Sequence, residues 1–157
     1  MADRIREAVE ADIPRILEMG ARSLAEGPYR DYIADNADAA AALALGAIGM
    51  KGGRILLYEK CGQVVGLLAF FVFPHWFSGE LTGEEAMWYV EPEHRQSLIA
   101  VALFRAGERI AREMGAKRMQ FTAPTRAVGR MYELLGYKEL EVGYQKDLTP
   151  CQPSQPD

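Results

Sequence analysis

In the 157-residue sequence, a strand-like segment, Met87-Trp88-Tyr89-Val90, runs through Glu91-Pro92-Glu93-His94 into an apolar-striped helix. A junction of this kind can hold an anion. The first turn of a helix exposes N–H groups that have no partner within it, and the helix dipole adds positive potential there. That suits a phosphate or pyrophosphate. Arg95 would add a full charge and a planar donor fork beside it. Another side chain able to move a proton is His75, in Pro74-His75-Trp76-Phe77-Ser78-Gly79, whose ordinary pKa suits a base near neutrality. Its aromatic neighbours would line a pocket or cap the end of a sheet, and capping is the expectation for Trp76. His94 reads as a turn residue near the anion. Tyr29, Arg30, Asp31, Tyr32 and Asp35 form an aromatic, acidic loop that would suit a cationic ligand, though a solvated loop has the same composition.

These groups must be positioned by regular elements, and the spacing predicts them. Ile5 to Val9 reads as an edge strand. Asp12 offers an N-cap and Pro14 an early helical position to a first helix that ends around Gly20 to Leu24. The Ala-rich Asp38–Met50 is helical on propensity. Arg54–Lys60 and Gln63–Phe73 are β-rich runs joined by Cys61-Gly62, a hairpin signal. The nearly continuous apolar run from Val64 to Phe73 suits a strand covered on both faces. Glu84–Val90 is the next strand, and Ser97–Met114 the clearest helix, with Gly115 as its C-cap. Lys117–Ala123 reads as a strand, Arg126–Leu135 as a short helix closed by Gly136, and Tyr137–Leu148 as one or two strands. The Pro-containing segment 149–157 is expected to be disordered. The order implies one α/β (α+β) domain over residues 1–148, with a mixed, partly parallel central sheet of about six or seven strands flanked by about four helices.

Composition excludes several classes. Lys plus Arg number 18 and Asp plus Glu 22, so the net charge is −4. This argues against nonspecific capture of nucleic acid or anionic membrane. No run approaches the ~20 apolar residues of a membrane span, and the N-terminus has no signal-like stretch. Cys61 and Cys151 make no disulfide framework, and no His/Cys cluster has metal-ligand spacing, so no metal is expected. A soluble, cytoplasmic chain is expected, and any self-association would most commonly be a homodimer.

Val90-Glu91-Pro92, followed by Arg95, Leu98 and Ala100, resembles the pyrophosphate motif of the Gcn5-related N-acetyltransferase (GNAT) superfamily, Gln/Arg-x-x-Gly-x-Gly/Ala after a strand ending in Val-x-Pro. The likeness extends over residues 4 to 148. It implies that the amides of Gln96, Ser97, Leu98, Ile99 and Ala100 cradle the pyrophosphate of acetyl-CoA as co-substrate. It also implies that main-chain groups of Trp88, Tyr89 and Val90 pair with the pantetheine arm where the fourth and fifth strands splay apart. The sequence departs from the motif at Leu98, where the family has its first glycine, and at Thr125, where it often has an asparagine contacting the pantetheine. A second block, Tyr132-Glu133-Leu134-Leu135-Gly136-Tyr137, looks like the family's closing segment. Tyr132 then falls on the tyrosine that protonates the departing thiolate, a sensible role for a phenol of pKa ~10 beside a thiol of pKa ~8.5; packing between helix and sheet is its alternative role. The segments Pro74–Gly79 and Pro92–Arg95 look like members encoded in phages and prophages.

For the general base the resemblance points to Glu84, six residues before Val90, with Glu85 on the opposite face of a regular strand and His75 as a third candidate. The implied function is transfer of acetyl from acetyl-CoA to a primary amine of a small molecule or protein. The rival reading is a regulatory protein that keeps the fold, and coenzyme A, without turnover; Leu98 and Thr125 favour it. Acetylation of aminoacyl-tRNA is disfavoured by the net charge and the lack of a basic cluster.

Overall fold

The computed structural model describes residues 3–146 and Leu148, so the expected tail at 149–157 lies outside the described residues. Elements follow in the order β1 (Arg4–Glu7), α1 (Ile13–Glu26), α2 (Ala37–Gly49), β2 (Gly53–Lys60), β3 (Gln63–Pro74), β4 (Leu81–Val90), α3 (Ile99–Glu113), β5 (Arg118–Gln120) and α4 (Arg126–Leu134), with short 3-10 turns at Glu10–Asp12 and Pro92–His94. The chain divides after Thr122 into two compact units. All five strands and α1 to α3 belong to the first, and α4 to the second.

The sheet runs β1-β2-β3-β4-β5 in spatial order, antiparallel except between β4 and β5, which are parallel. Cys61 and Gly62 close the β2–β3 hairpin with φ of 50° and 82°, the pair of positive values that matches a tight turn to strand twist. The long β3 carries buried side chains on both faces, as its apolar run requires. On one face Leu57, Leu67, Ala69 and Tyr89 pack with Ile16 and Met19 of α1 and Ala44 and Ala47 of α2. On the other, α3 buries Leu103 and Phe104 completely. Its close approach depends on two glycines. A Cβ at Gly66 would meet Ile99 and Leu103 at 3.0 and 3.2 Å, and one at Gly107 would meet Leu68 at 2.7 Å.

Element boundaries moved where tertiary contacts outweigh local signals. α1 continues to Glu26, because Arg22 and Glu26 on its last turns find partners near the end of β4. Asp12 does precede α1, but its carboxylate accepts from Arg6 and from the Val9 N–H rather than capping the helix. α3 starts at Ile99, two residues later than expected, since His94 to Leu98 form a turn. The sheet has five strands among the described residues, not six or seven. The shortfall is in Tyr137–Leu148, whose described part carries no strand although Leu140, Val142 and Tyr144 alternate as in one. They are 77%, 65% and 96% exposed; alternation builds a strand only where a neighbouring edge supplies hydrogen bonds.

Candidate functional site

β4 is the axis of the site. Its ladder with β5 comprises Thr82↔Arg118, Gly83↔Met119 and Glu84↔Gln120, and β5 ends there while β4 continues to Val90. Backbone pairing along this edge of β4 therefore stops at Glu84, where the sequence leads us to expect a splay. On its other side β4 stays paired with β3 up to Gly66↔Val90, with a register shift that leaves Ala86 as an extra residue. Such bulges bend a strand and re-aim its side chains. Where the strands part, the Thr122 N–H donates to Glu85 Oε2 over 3.0 Å. Burial pushes the half-buried Glu85 carboxyl up, the Thr122 bond opposing this and neighbouring Glu84 adding to it. Glu84 itself is exposed and has no hydrogen-bond or ion-pair partner among the described residues.

At the far end of β4, Pro92–His94 form one 3-10 turn and α3 begins at Ile99, with Leu98 at its N-cap position and no side-chain cap. The amides of this connection divide into two sets. The Ser97 N–H donates to His94 O and the Ile99 N–H to Ser97 Oγ. Those of Gln96, Leu98, Ala100 and Val101 find no acceptor among the described residues. The N–H groups without an acceptor are thus every second one from Gln96 to Ala100, and then that of Val101. Leu98 is 77% exposed with φ −84° and ψ 13°. Its backbone is right-handed, so the position makes no demand for glycine, and its side chain lies outside the core.

Arg95, expected beside the anion, is engaged within the protein. Its Nε donates to Val90 O at 2.8 Å, its Nη2 meets Glu26 Oε2 at 2.5 Å, and the guanidinium stacks 5.1 Å over the Tyr89 ring. Tyr89 Oη donates to the other Glu26 oxygen at 3.1 Å, and its phenol is pushed up by burial and then by Glu26. The arginine thus braces the turn against α1 and shares its charge with Glu26. Beside it, Glu91 is 1% exposed and held by Arg15 at 2.5 Å and Arg22 at 2.9 Å, while Arg15 also donates to Val64 O. Sequence reasoning missed Glu26, Glu91, Arg15 and Arg22, because each pair is formed by residues far apart in the chain.

Other expected groups are placed as follows. Trp88 lies edge-on to Phe104 on the α3 face, 5.2 Å between ring centres. His75 packs beside Phe77 in the β3–β4 loop. Trp76 is 93% exposed, so it caps nothing; the loop turns it away from the sheet end. Near Glu84 an open cleft of about 450 Å³ is lined by Met50, Phe71, Phe73, Glu85 and Ala86. In the second unit, Thr125 caps α4 by accepting from the Val128 N–H, and buried Tyr132 packs against Tyr137. No group of three or more His, Cys, Asp or Glu able to hold a metal occurs among the described residues.

Residues 21–137 match the model of the acetyltransferase (GNAT) family. The chain belongs to this family. Solved structures with the same fold include a transcriptional regulator from Bacillus halodurans C-125, at TM-score 0.78 and 20% identity over 94% of this chain and 100% of that one. A ribosomal-protein-alanine N-acetyltransferase from Brucella melitensis biovar Abortus 2308 has TM-score 0.72 and 20% identity, with the same coverage. An aminoglycoside N-acetyltransferase in complex with CoA has TM-score 0.77 and 16% identity over 94% of this chain and 96% of that one. No curated protein sequence matches the chain. The end of the β4–β5 ladder at Glu84 and the amides without acceptors before α3 lie at the two ends of one stretch of β4. No helix among the described residues is long and apolar enough to cross a membrane.

Proposed function

We propose that this chain transfers acetyl from acetyl-CoA to a primary amine. The observation that supports it best is the set of N–H groups of Gln96, Leu98, Ala100 and Val101, without an acceptor among the described residues at the end of a strand that continues beyond its last pair with β5. Amide donors at a helix start favour a pyrophosphate, and an extended pantetheine arm fits alongside Trp88, Tyr89 and Val90. Ser97 and Ile99 shape this turn through the Ser97 hydroxyl, and Arg95 holds it against Val90. Thr125 stands at the motif position for a pantetheine contact.

In the reaction the ammonium passes a proton to the Glu84 carboxylate, directly or through water. The freed nitrogen pair forms the C–N bond at the thioester carbonyl carbon, whose oxygen takes up charge beside a β4 N–H. Collapse breaks the C–S bond, and the Tyr132 phenol protonates the leaving sulfur. The second nitrogen proton restores Tyr132, leaving an amide, a thiol and one proton on Glu84. Much of the acceleration comes from holding amine and thioester together. The amine acceptor is the partner in this reading, with a cytoplasmic location and no role for metal or nucleic acid.

Calorimetry with acetyl-CoA, followed by thiol release across an amine panel, tests the reading. Heat of binding with turnover is expected. Binding without turnover of any amine would instead leave a coenzyme A-binding regulatory protein.

A further inference from the structure

We propose that the cleft beside the β4 bulge is the acceptor site and that it takes a primary amine bearing one positive charge on an apolar alkyl or aromatic body. This rests on the acetyl-transfer reading and narrows its substrate. The cleft lies at the opposite end of this stretch of β4 from the anion-binding turn, so an arm laid along the strand would bring its acyl end here. Ala86, the bulge residue, is in the cleft wall, two residues past the last β4–β5 pair.

The walls are apolar. Phe71 faces Glu84 across the β3–β4 ladder and Phe73 faces Thr82, so both rings share the face that carries the Glu84 side chain. Met50, 53% exposed, and Phe73, 39% exposed, offer apolar surface that a ligand would take out of water. The charge available is small. Glu85 has its carboxylate engaged by the Thr122 N–H, and burial holds it toward the neutral form. Glu84 is left as the exposed acidic side chain with no hydrogen-bond or ion-pair partner among the described residues. One carboxylate matches one ammonium. A second cationic centre on the ligand would meet Met50, Phe71 or Phe73 and lose hydration without a partner. Polyamines and aminoglycosides are therefore disfavoured, and an apolar monoamine is favoured.

The test is thiol release from saturating acetyl-CoA with 2-phenylethylamine, n-hexylamine, spermidine and an aminoglycoside, alongside NMR titration of 2-phenylethylamine alone. Expected is a kcat/KM for the two monoamines at least about tenfold above that for the polycations. Phe73→Ala should raise the monoamine KM about fivefold with kcat within about twofold, and Met50→Ala, at a half-exposed helix end, should do the same. A preference for spermidine or the aminoglycoside, or an unchanged KM in both variants, would overturn the proposal. Failure of the acetyl-CoA reading would look different. It would give no heat with acetyl-CoA, while 2-phenylethylamine still shifted resonances of Phe71, Phe73 and Glu84. Acetyl-CoA binding with no such shifts overturns the cleft assignment alone.

Discussion

The Thr122 N–H donates to Glu85 Oε2 one residue past the last backbone pair between β4 and β5, Glu84↔Gln120. A side chain thus takes over where the ladder stops, satisfying a backbone donor as the strands separate. The cost is a carboxyl partly removed from water. Burial holds Glu85 above the ordinary carboxylate range. A group that binds its proton more tightly in the folded chain contributes stability below its unfolded pKa, and that contribution is lost as pH rises through the folded value. Glu85→Gln keeps an oxygen for Thr122 and removes the titration. Its urea midpoint, relative to the parent, should therefore rise as pH climbs from about 4 through the raised folded value. A relative fall over that window would show that the charged form supports the fold.

Glu91 makes the opposite case. It is buried and ionically paired to Arg15 and Arg22, which reach from α1 to the residue that opens the turn before α3. Glu91→Ala strands the Arg15 contact and loosens the start of the turn. Removing one member of a buried pair costs about 3–5 kcal/mol, and since both arginines can still reach water the loss should be near the lower end, about 3 kcal/mol. Urea unfolding checks this, and a change below about 1 kcal/mol would place the pair among ordinary surface contacts.

How much of this could be read from the sequence depends on the range of each interaction. Cys61-Gly62, Pro92, Gly115 and Gly136 act within a turn or a cap, and the structure uses each where the sequence put it, with Gly115 and Gly136 both at φ 95°. The apolar stripe of α3 was equally legible, its periodicity being set by the face it buries. Glu26 with Arg95 and Arg15 with Glu91 are 69 and 76 residues apart and leave no local signal. The bulge at Ala86 was hidden for a related reason: register is settled by the pairing of whole strands. Arg95 was recognised as a motif residue, but its engagement by Glu26 could not be foreseen. Tyr137–Leu148 failed differently: Leu140, Val142 and Tyr144 alternate, yet they are exposed and its described part carries no strand.

At Asp12, acid should unfold the chain from its N-terminal end. The Arg6 guanidinium holds this carboxyl below the usual range, with the Val9 N–H adding to the effect and burial opposing it. A depressed pKa contributes stability above the unfolded value that is lost as pH falls through the folded one. Asp12→Asn should lower the urea midpoint at neutral pH and converge with the parent below about pH 3. Equal midpoints at pH 7 would mean that Glu59, the other partner of Arg6, suffices alone.

Tyr132→Phe separates chemistry from packing. The phenyl ring can still stack against Tyr137 at the end of α4, so stability should change by less than about 1 kcal/mol, the usual scale of one hydrogen bond. If the phenol protonates the leaving thiolate, kcat should fall by about 10²-fold or more, the scale of a positioned acid. Acetyl-CoA affinity should stay within a few-fold. Unchanged turnover would retire Tyr132 as the acid.

Leu98→Gly addresses the departure from the family's glycine pattern. The leucine is exposed, its backbone is right-handed, and its N–H finds no acceptor among the described residues. Glycine would leave that donor in place and remove a side chain from beside the proposed pyrophosphate. As the N-cap of α3 it is no worse than leucine, so stability should hold within a few tenths of a kcal/mol. Calorimetry should then give an acetyl-CoA affinity equal to or tighter than the parent's. A marked loss, with the fold intact by circular dichroism, would mean that the leucine side chain itself packs on the ligand, and that this turn grips through apolar contact as well as through its amides.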